Sequence, residues 1–181
     1  GSRIAVVGET GSGKTTFAKL LTRLMDPTSG AVLLDGVDIR SVEFASLRHR
    51  VVLVPQEGFL FDSTLLANTR YGDLEATPDS VRAAAGELGL GDWLDGLPHG
   101  LETRVGQRGE SLSAGERQLI SIARALLADP RILILDEATS NIDRPTEVLI
   151  ERALDRLLRG RTSIIIAHRL ATVRRADEIV V

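Results

Sequence analysis

The sequence predicts an α/β protein, a mainly parallel sheet flanked by helices and interrupted by an inserted helical segment. Three observations carry this expectation. Short apolar runs ("RIAVV", "VVLVP", "RILILDE", "TSIIIAH") alternate with longer stretches of helical period. Strands that read as near-continuous hydrophobic runs are those buried on both faces, with helices as crossovers. Several of these runs end on polar or glycine residues, as the carboxyl edge of a parallel sheet does where ligands bind. From residue 57 to 110 the alternation lapses into Gly, Asp and polar turns.

"RIAVV" reads as a first buried strand, and "KTTFAKLLTRLM" has helical spacing that Asp26-Pro27 ends. "AVLLDG" followed by "VDIR" reads as a strand and turn, and "VVLVP" as a strand stopped by Pro55. Within 57–110 the clearest helix begins at "TPDSVRAAAGEL", where Thr77 suits the N-cap and Pro78 the first helical position. "SAGERQLISIARALLA" is helical, "RILILDE" a strand, "PTEVLIERALDRLLRG" a helix and "TSIIIAH" a strand. A short helix and a last strand, "EIVV", close the chain. Ending on a strand, the chain is expected to continue into flanking sequence.

With 181 residues the chain can bury one sizeable core, and 43% hydrophobic residues argue against disorder. No apolar run approaches the roughly 20 residues that span a bilayer. The net charge of −3 provides no global basic field for nucleic acid. There are no cysteines, which excludes disulfides and thiolate metal sites. Lys14 and Lys19 are the only lysines among 22 basic residues, so a lysine at position 14 stands out.

Residues 8–15, "GETGSGKT", follow a strand and open a helix in the pattern G-x-x-x-x-G-K-[ST]. Glycines let consecutive backbone N–H groups face an anion, and the helix dipole adds positive potential. Lys14 supplies a point charge to outer phosphates, and the Thr15 hydroxyl is a magnesium ligand. A Gly-rich connecting turn is the plainer alternative, but the strand–loop–helix context is what the chemistry needs. "ILILDE" delivers Asp136 and Glu137 at a strand's carboxyl end, one suited to magnesium and the other to polarising the attacking water. Gln56 and His168 each follow an apolar strand, so both are expected at the same sheet edge. Alone, a Gln after Pro is more often a turn residue and a His at a strand end often only a surface group; their common placement at strand ends carries the functional reading.

The phosphate loop, Gln56, "LSAGE", "LILDEATS", "SNID" and His168 occur in the order found in ATP-binding cassette (ABC) ATPases, which this chain resembles over nearly its whole length. "VPQEGFLFDSTLLANTRYGD" and "ETRVGQRGESLS" resemble the exporter subclass. The resemblance implies a P-loop NTPase fold, with 1–56 and 111–181 as catalytic core and 57–110 as helical subdomain. It implies that Gly8, Glu9, Thr10, Gly11, Ser12, Gly13, Lys14, Thr15 and Thr16 hold the phosphates of ATP. Mg2+ falls to Thr15, Gln56 and Asp136, and catalysis to Glu137 as base with His168 and Gln56. Ser113 and Gly115 would reach the ATP of a second ABC ATPase domain in a head-to-tail homo- or heterodimer, with Asp143 at that interface. The implied function is ATP hydrolysis driving export through a transmembrane domain, at the cytoplasmic face of the plasma membrane. The alternative is a soluble cassette ATPase acting on DNA or the ribosome; such proteins usually carry coiled-coil insertions or tandem cassettes.

The sequence departs from the family pattern in several places. "LSAGE" has Ala114 and Glu116 where Gly and Gln are usual, Gln107 stands where exporters often have Glu, and Asn141-Ile142 replaces the commoner Ala-Leu. The aromatic residue that stacks on adenine is expected upstream of the first strand. Ser113 and Glu116 also have capping-box spacing, which accounts for Glu116 without reference to nucleotide. Electrostatically, a carboxylate there opposes the dipole that should attract a partner's phosphate. Such a departure is compatible with pairing to a different half-transporter, with the site completed by "LSAGE" the slower one.

Overall fold

The structure is a computed structural model that describes residues 1–55, 58–136, 142–167 and 173–181. By contacts it divides into two compact units. One comprises Gly1–Leu53, Pro130–Glu137 and Gly160–Val181; the other comprises Val54–Asp129 and Ala138–Arg159.

The first unit is built on a five-stranded sheet. Its strands are β1 (Arg3–Val6), β4 (Val51–Val54), β5 (Ile132–Asp136), β6 (Thr162–Ile166) and β7 (Glu178–Val180), in the order β4-β5-β6-β1-β7. The pairings β1 with β6, β1 with β7 and β5 with β6 are all parallel, as the apolar runs predict. The register sets Val6 beside Ile166 and Ile166 beside Asp136. Residues 7, 136 and 167 therefore leave the sheet at a common carboxyl edge.

Helix α1 (Lys14–Leu21) follows β1, and α2 (Phe44–Arg50) precedes β4. Ala18 from α1, Leu47 from α2, Ile39, Val51, Ile134 and Ile166 form one buried cluster. Helix α1 is four residues shorter than its apolar spacing predicts. Arg23 takes a left-handed φ of 52°, Arg23 N–H bonds Leu20 O at 3.1 Å and Leu24 N–H bonds Lys19 O at 2.8 Å. This double closure of the last turn ends the helix before Pro27 can. The expected strand and turn after it is a two-stranded antiparallel ribbon, β2 (Leu33–Leu34) with β3 (Val37–Asp38). Asp35 and Gly36, with φ of 51° and 80°, make the tight turn between them.

The second unit is helical. It holds α3 (Leu65–Thr69), α4 (Pro78–Leu88), α5 (Gly91–Asp95), α6 (Ala114–Leu127) and α7 (Arg144–Leu157). The sequence singles out only α4 before residue 110; α3 and α5 have five residues each, too short to show a period. Thr77 caps α4 as expected, its Oγ1 accepting from Ser80 N–H at 3.1 Å with Pro78 at the start. Such a cap contributes about 0.5–2 kcal/mol. Helix α6 packs on α3, α4 and α7, burying Leu119, Ile120, Ile122 and Leu126.

One cation braces this unit. Arg124 on α6 donates to Asn68 O and Phe59 O, each at 2.6 Å, and to Asn68 Oδ1 at 2.9 Å. Asn68, 1% exposed, is itself tied to Phe61 N–H, Phe61 O and Thr64 O. The Arg124 guanidinium also lies 5.6 Å from the Tyr71 ring, and Tyr71 stacks on Phe61 at 4.4 Å. Burial pushes the Arg124 pKa below its ordinary value.

Among the described residues no helix is long and apolar enough to cross a membrane.

Candidate functional site

β1 ends at Val6, and the chain turns through the glycine loop into α1. Gly11 and Gly13 take φ of 87° and 96°, a left-handed backbone that a side chain would strain. Gly13 is the N-cap of α1 and offers no side chain to its first-turn N–H groups. Those donors and the positive end of the helix are what an anion requires. Gly8, Glu9, Thr10, Gly11, Ser12, Gly13, Thr15 and Thr16 are all exposed, whereas Lys14 is 8% exposed.

The Lys14 ammonium is drawn across the loop. Nζ donates to Gly8 O at 2.9 Å, Glu9 O at 2.7 Å and Ser12 Oγ at 3.4 Å. Ser12 N–H closes on Glu9 O at 3.1 Å. A compact point charge held by neutral oxygens, without a carboxylate among those three acceptors, keeps its positive field for an anion. Thr15 Oγ1 donates to Asp136 Oδ2 at 3.3 Å. The hydroxyl opening α1 and the carboxylate ending β5 thus meet where the register places both segments. Gln56, Glu137 and His168, the expected catalytic set, lie outside the described residues, as do Asn141 and the expected short helix after His168.

Ser113 and Gly115 open α6 in the helical unit. Ser113 is the N-cap, and its Oγ accepts from Glu116 N–H at 3.2 Å. Glu116 Oε2 accepts in return from Ser113 N–H at 2.8 Å, which completes the capping box that the spacing allows. Sequence reasoning missed two neighbours of this turn. The Trp93 indole, from α5, donates to Glu116 Oε1 at 3.2 Å. A Cβ on Gly115 would collide with Thr146 Cγ2 and come within 3.1 Å of Ile142 Cγ2. No local pattern announces either contact, because the partners lie more than twenty residues away. Asp143 caps α7, its Oδ2 accepting from Thr146 N–H at 3.0 Å. That backbone hydrogen bond, with the side-chain one to Thr146, holds the Asp143 carboxyl below the ordinary 3.8.

A model of the ABC transporter family matches residues 1–140. The chain is 54% identical over 181 residues to an uncharacterised ABC transporter ATP-binding protein, YfiC, of Bacillus subtilis, covering all of this chain and 30% of that protein. It is 52% identical over 181 residues to a fatty acid ABC transporter ATP-binding/permease protein of Mycobacterium tuberculosis, covering all of this chain and 29% of that protein. Among solved structures, a bacterial Atm1-family ABC exporter with ATP bound matches with a TM-score of 0.89 and 43% identity, covering 99% of this chain and 32% of that one. The chain thus spans about a third or less of the length of these relatives.

Proposed function

The chain belongs to the ABC transporter family, and we propose that it is the ATP-hydrolysing domain of an exporter, coupled to a transmembrane domain at the cytoplasmic face of the plasma membrane. The observation that carries the ATPase reading is the Lys14–Thr15–Asp136 arrangement. A largely buried lysine closes a glycine loop, and the hydroxyl that follows it lies 3.3 Å from a strand-end carboxylate. The exporter assignment rests on the relatives, which include ATP-binding/permease proteins and an exporter. They favour it over a soluble cassette acting on DNA or the ribosome.

The residues fit the chemistry. A hydroxyl and a carboxylate 3.3 Å apart are hard oxygen donors of the kind that would suit Mg2+. Thr15 and Asp136 would hold that ion with Gln56, and its chemistry there would be charge neutralisation during phosphoryl transfer. The loop residues 8–13, with Thr16, cradle the phosphates of ATP through backbone N–H groups, and Lys14 exchanges its carbonyl partners for phosphate oxygens. Glu137 takes the proton of the attacking water, which Gln56 and His168 position. Ser113 and Gly115 act on the nucleotide of a second ABC ATPase domain, so turnover waits for the two domains to close. Positioning and charge are the main demands of phosphoryl transfer, and closure supplies both. ATP favours the closed pair only through its tighter binding there. Residues 57–110 serve as a helical subdomain that carries this closure to the membrane helices.

In the full-length protein, Lys14→Ala is expected to abolish measurable ATP binding. Glu137→Gln is expected to retain it while turnover falls at least ~100-fold, as loss of a general base does. Unchanged ATP affinity in the first variant would remove the phosphate-loop assignment; turnover within a few-fold of wild type in the second would remove Glu137 as base.

A further inference from the structure

Two donors converge on one side chain at the start of α6. Ser113 N–H reaches Glu116 Oε2 at 2.8 Å, and Trp93 Nε1–H reaches Oε1 at 3.2 Å. A carboxylate meets both with two acceptor oxygens; an amide has one acceptor and would set its NH2 group against the other N–H. The Trp93 ring is held by apolar neighbours, lining a small cavity with Leu65, Val81, Leu90 and Ile120. Its N–H is therefore aimed by packing, as a half-buried indole with a polar handle usually is. Glutamate at 116 is the residue type that this pair of donors requires, which gives the departure from the usual Gln a physical cause.

We propose that Trp93 is a positioning residue for the nucleotide clamp. It fixes the Glu116 carboxylate in the capping box, so that the negative charge is shared by two N–H groups and kept from an approaching phosphate. This rests on the reading of Ser113 and Gly115 as groups that act on a partner's nucleotide. Without the indole, the carboxylate is held by one oxygen and its charge is less offset, at a helix end that should attract an anion. Without the carboxylate, the indole N–H faces an amide. The two side chains therefore depend on one another, and each single change harms what the double change restores.

The test is a cycle of Trp93→Phe, Glu116→Gln and the double variant in the full-length protein, read by ATP turnover and by thermal unfolding. Trp93→Phe is expected to raise the KM for ATP about three- to tenfold with a smaller change in kcat, the mark of weakened binding rather than lost folded protein. Glu116→Gln alone is expected to lower kcat/KM by about the same factor, and in the Trp93→Phe background to raise it, a reversal within the range of coupled neighbours. A Glu116→Gln change that raises kcat/KM with Trp93 present overturns the proposal, as do additive effects. Reversal in the unfolding midpoint without reversal in kcat/KM also overturns it, leaving the pair as a brace alone. A wild-type protein that shows no ATP turnover overturns the ATPase reading and with it the clamp role of Trp93; reversal in its unfolding midpoint then keeps the Trp93–Glu116 pair as a brace alone.

Discussion

Gly115 occupies the second position of α6, where Thr146 and Ile142 from the opening of α7 close over the space that a Cβ would need. Helix propensity alone favours alanine over glycine by about 0.5–1 kcal/mol. The contact with Thr146 opposes this, since forcing a methyl into a packed site costs about 1–3 kcal/mol. Gly115→Ala is accordingly expected to destabilise the protein in chemical denaturation, and Thr146→Ser, which removes the colliding methyl, to recover part of the loss. Asp143 makes the second residue-scale prediction. Its folded pKa is depressed, so its contribution to stability is complete above the unfolded value near 3.8 and is lost as pH falls through the lower folded value. Asp143→Asn should flatten the acid limb of stability against pH below 4 while leaving the neutral region little changed; an unaltered limb in thermal scans would exclude the cap as its source.

Arg124 links elements that the sequence does not show to be neighbours. From α6 it satisfies carbonyls at Phe59 and Asn68 and the Asn68 side chain, across a separation of 56 residues or more. A planar fork can meet three acceptors at once, and a lysine ammonium cannot reproduce that geometry. Arg124→Lys should therefore cost about 1–3 kcal/mol, the worth of charged hydrogen bonds left unmade. It should also speed amide exchange in residues 59–72 ahead of the rest of the helical unit. Uniform exchange across that unit would mean that Arg124 contributes only to global stability. The elements themselves were unevenly legible. Strands β1, β4, β5 and β6 and helices α4, α6 and α7 announce themselves by apolar runs, helical period and caps. Helices α3 and α5 do not, because five residues hold barely more than one turn. The end of α1 was hidden as well, because a left-handed arginine at position 23 has no sequence signature.

At the scale of the molecule, the parallel sheet converts spacing along the chain into a single edge. The register beside Ile166 brings the glycine loop and Asp136 together across more than 120 residues. A ligand that binds only the folded chain adds about 2.7 kcal/mol at 100 times its Kd. Mg-ATP at that concentration is thus expected to raise the thermal midpoint of the full-length protein, and Lys14→Ala to abolish the shift. An equal shift in both would place the stabilising site elsewhere. The sequence by itself determined the fold class, the glycine loop that opens α1, and the Ser113–Glu116 cap, because period, caps and loop chemistry are local properties. Only the tertiary structure decided why position 115 must be glycine and why position 116 is glutamate. Both answers depend on how many donors and how much volume converge on one point from separate elements, and that count exists only once the chain has folded.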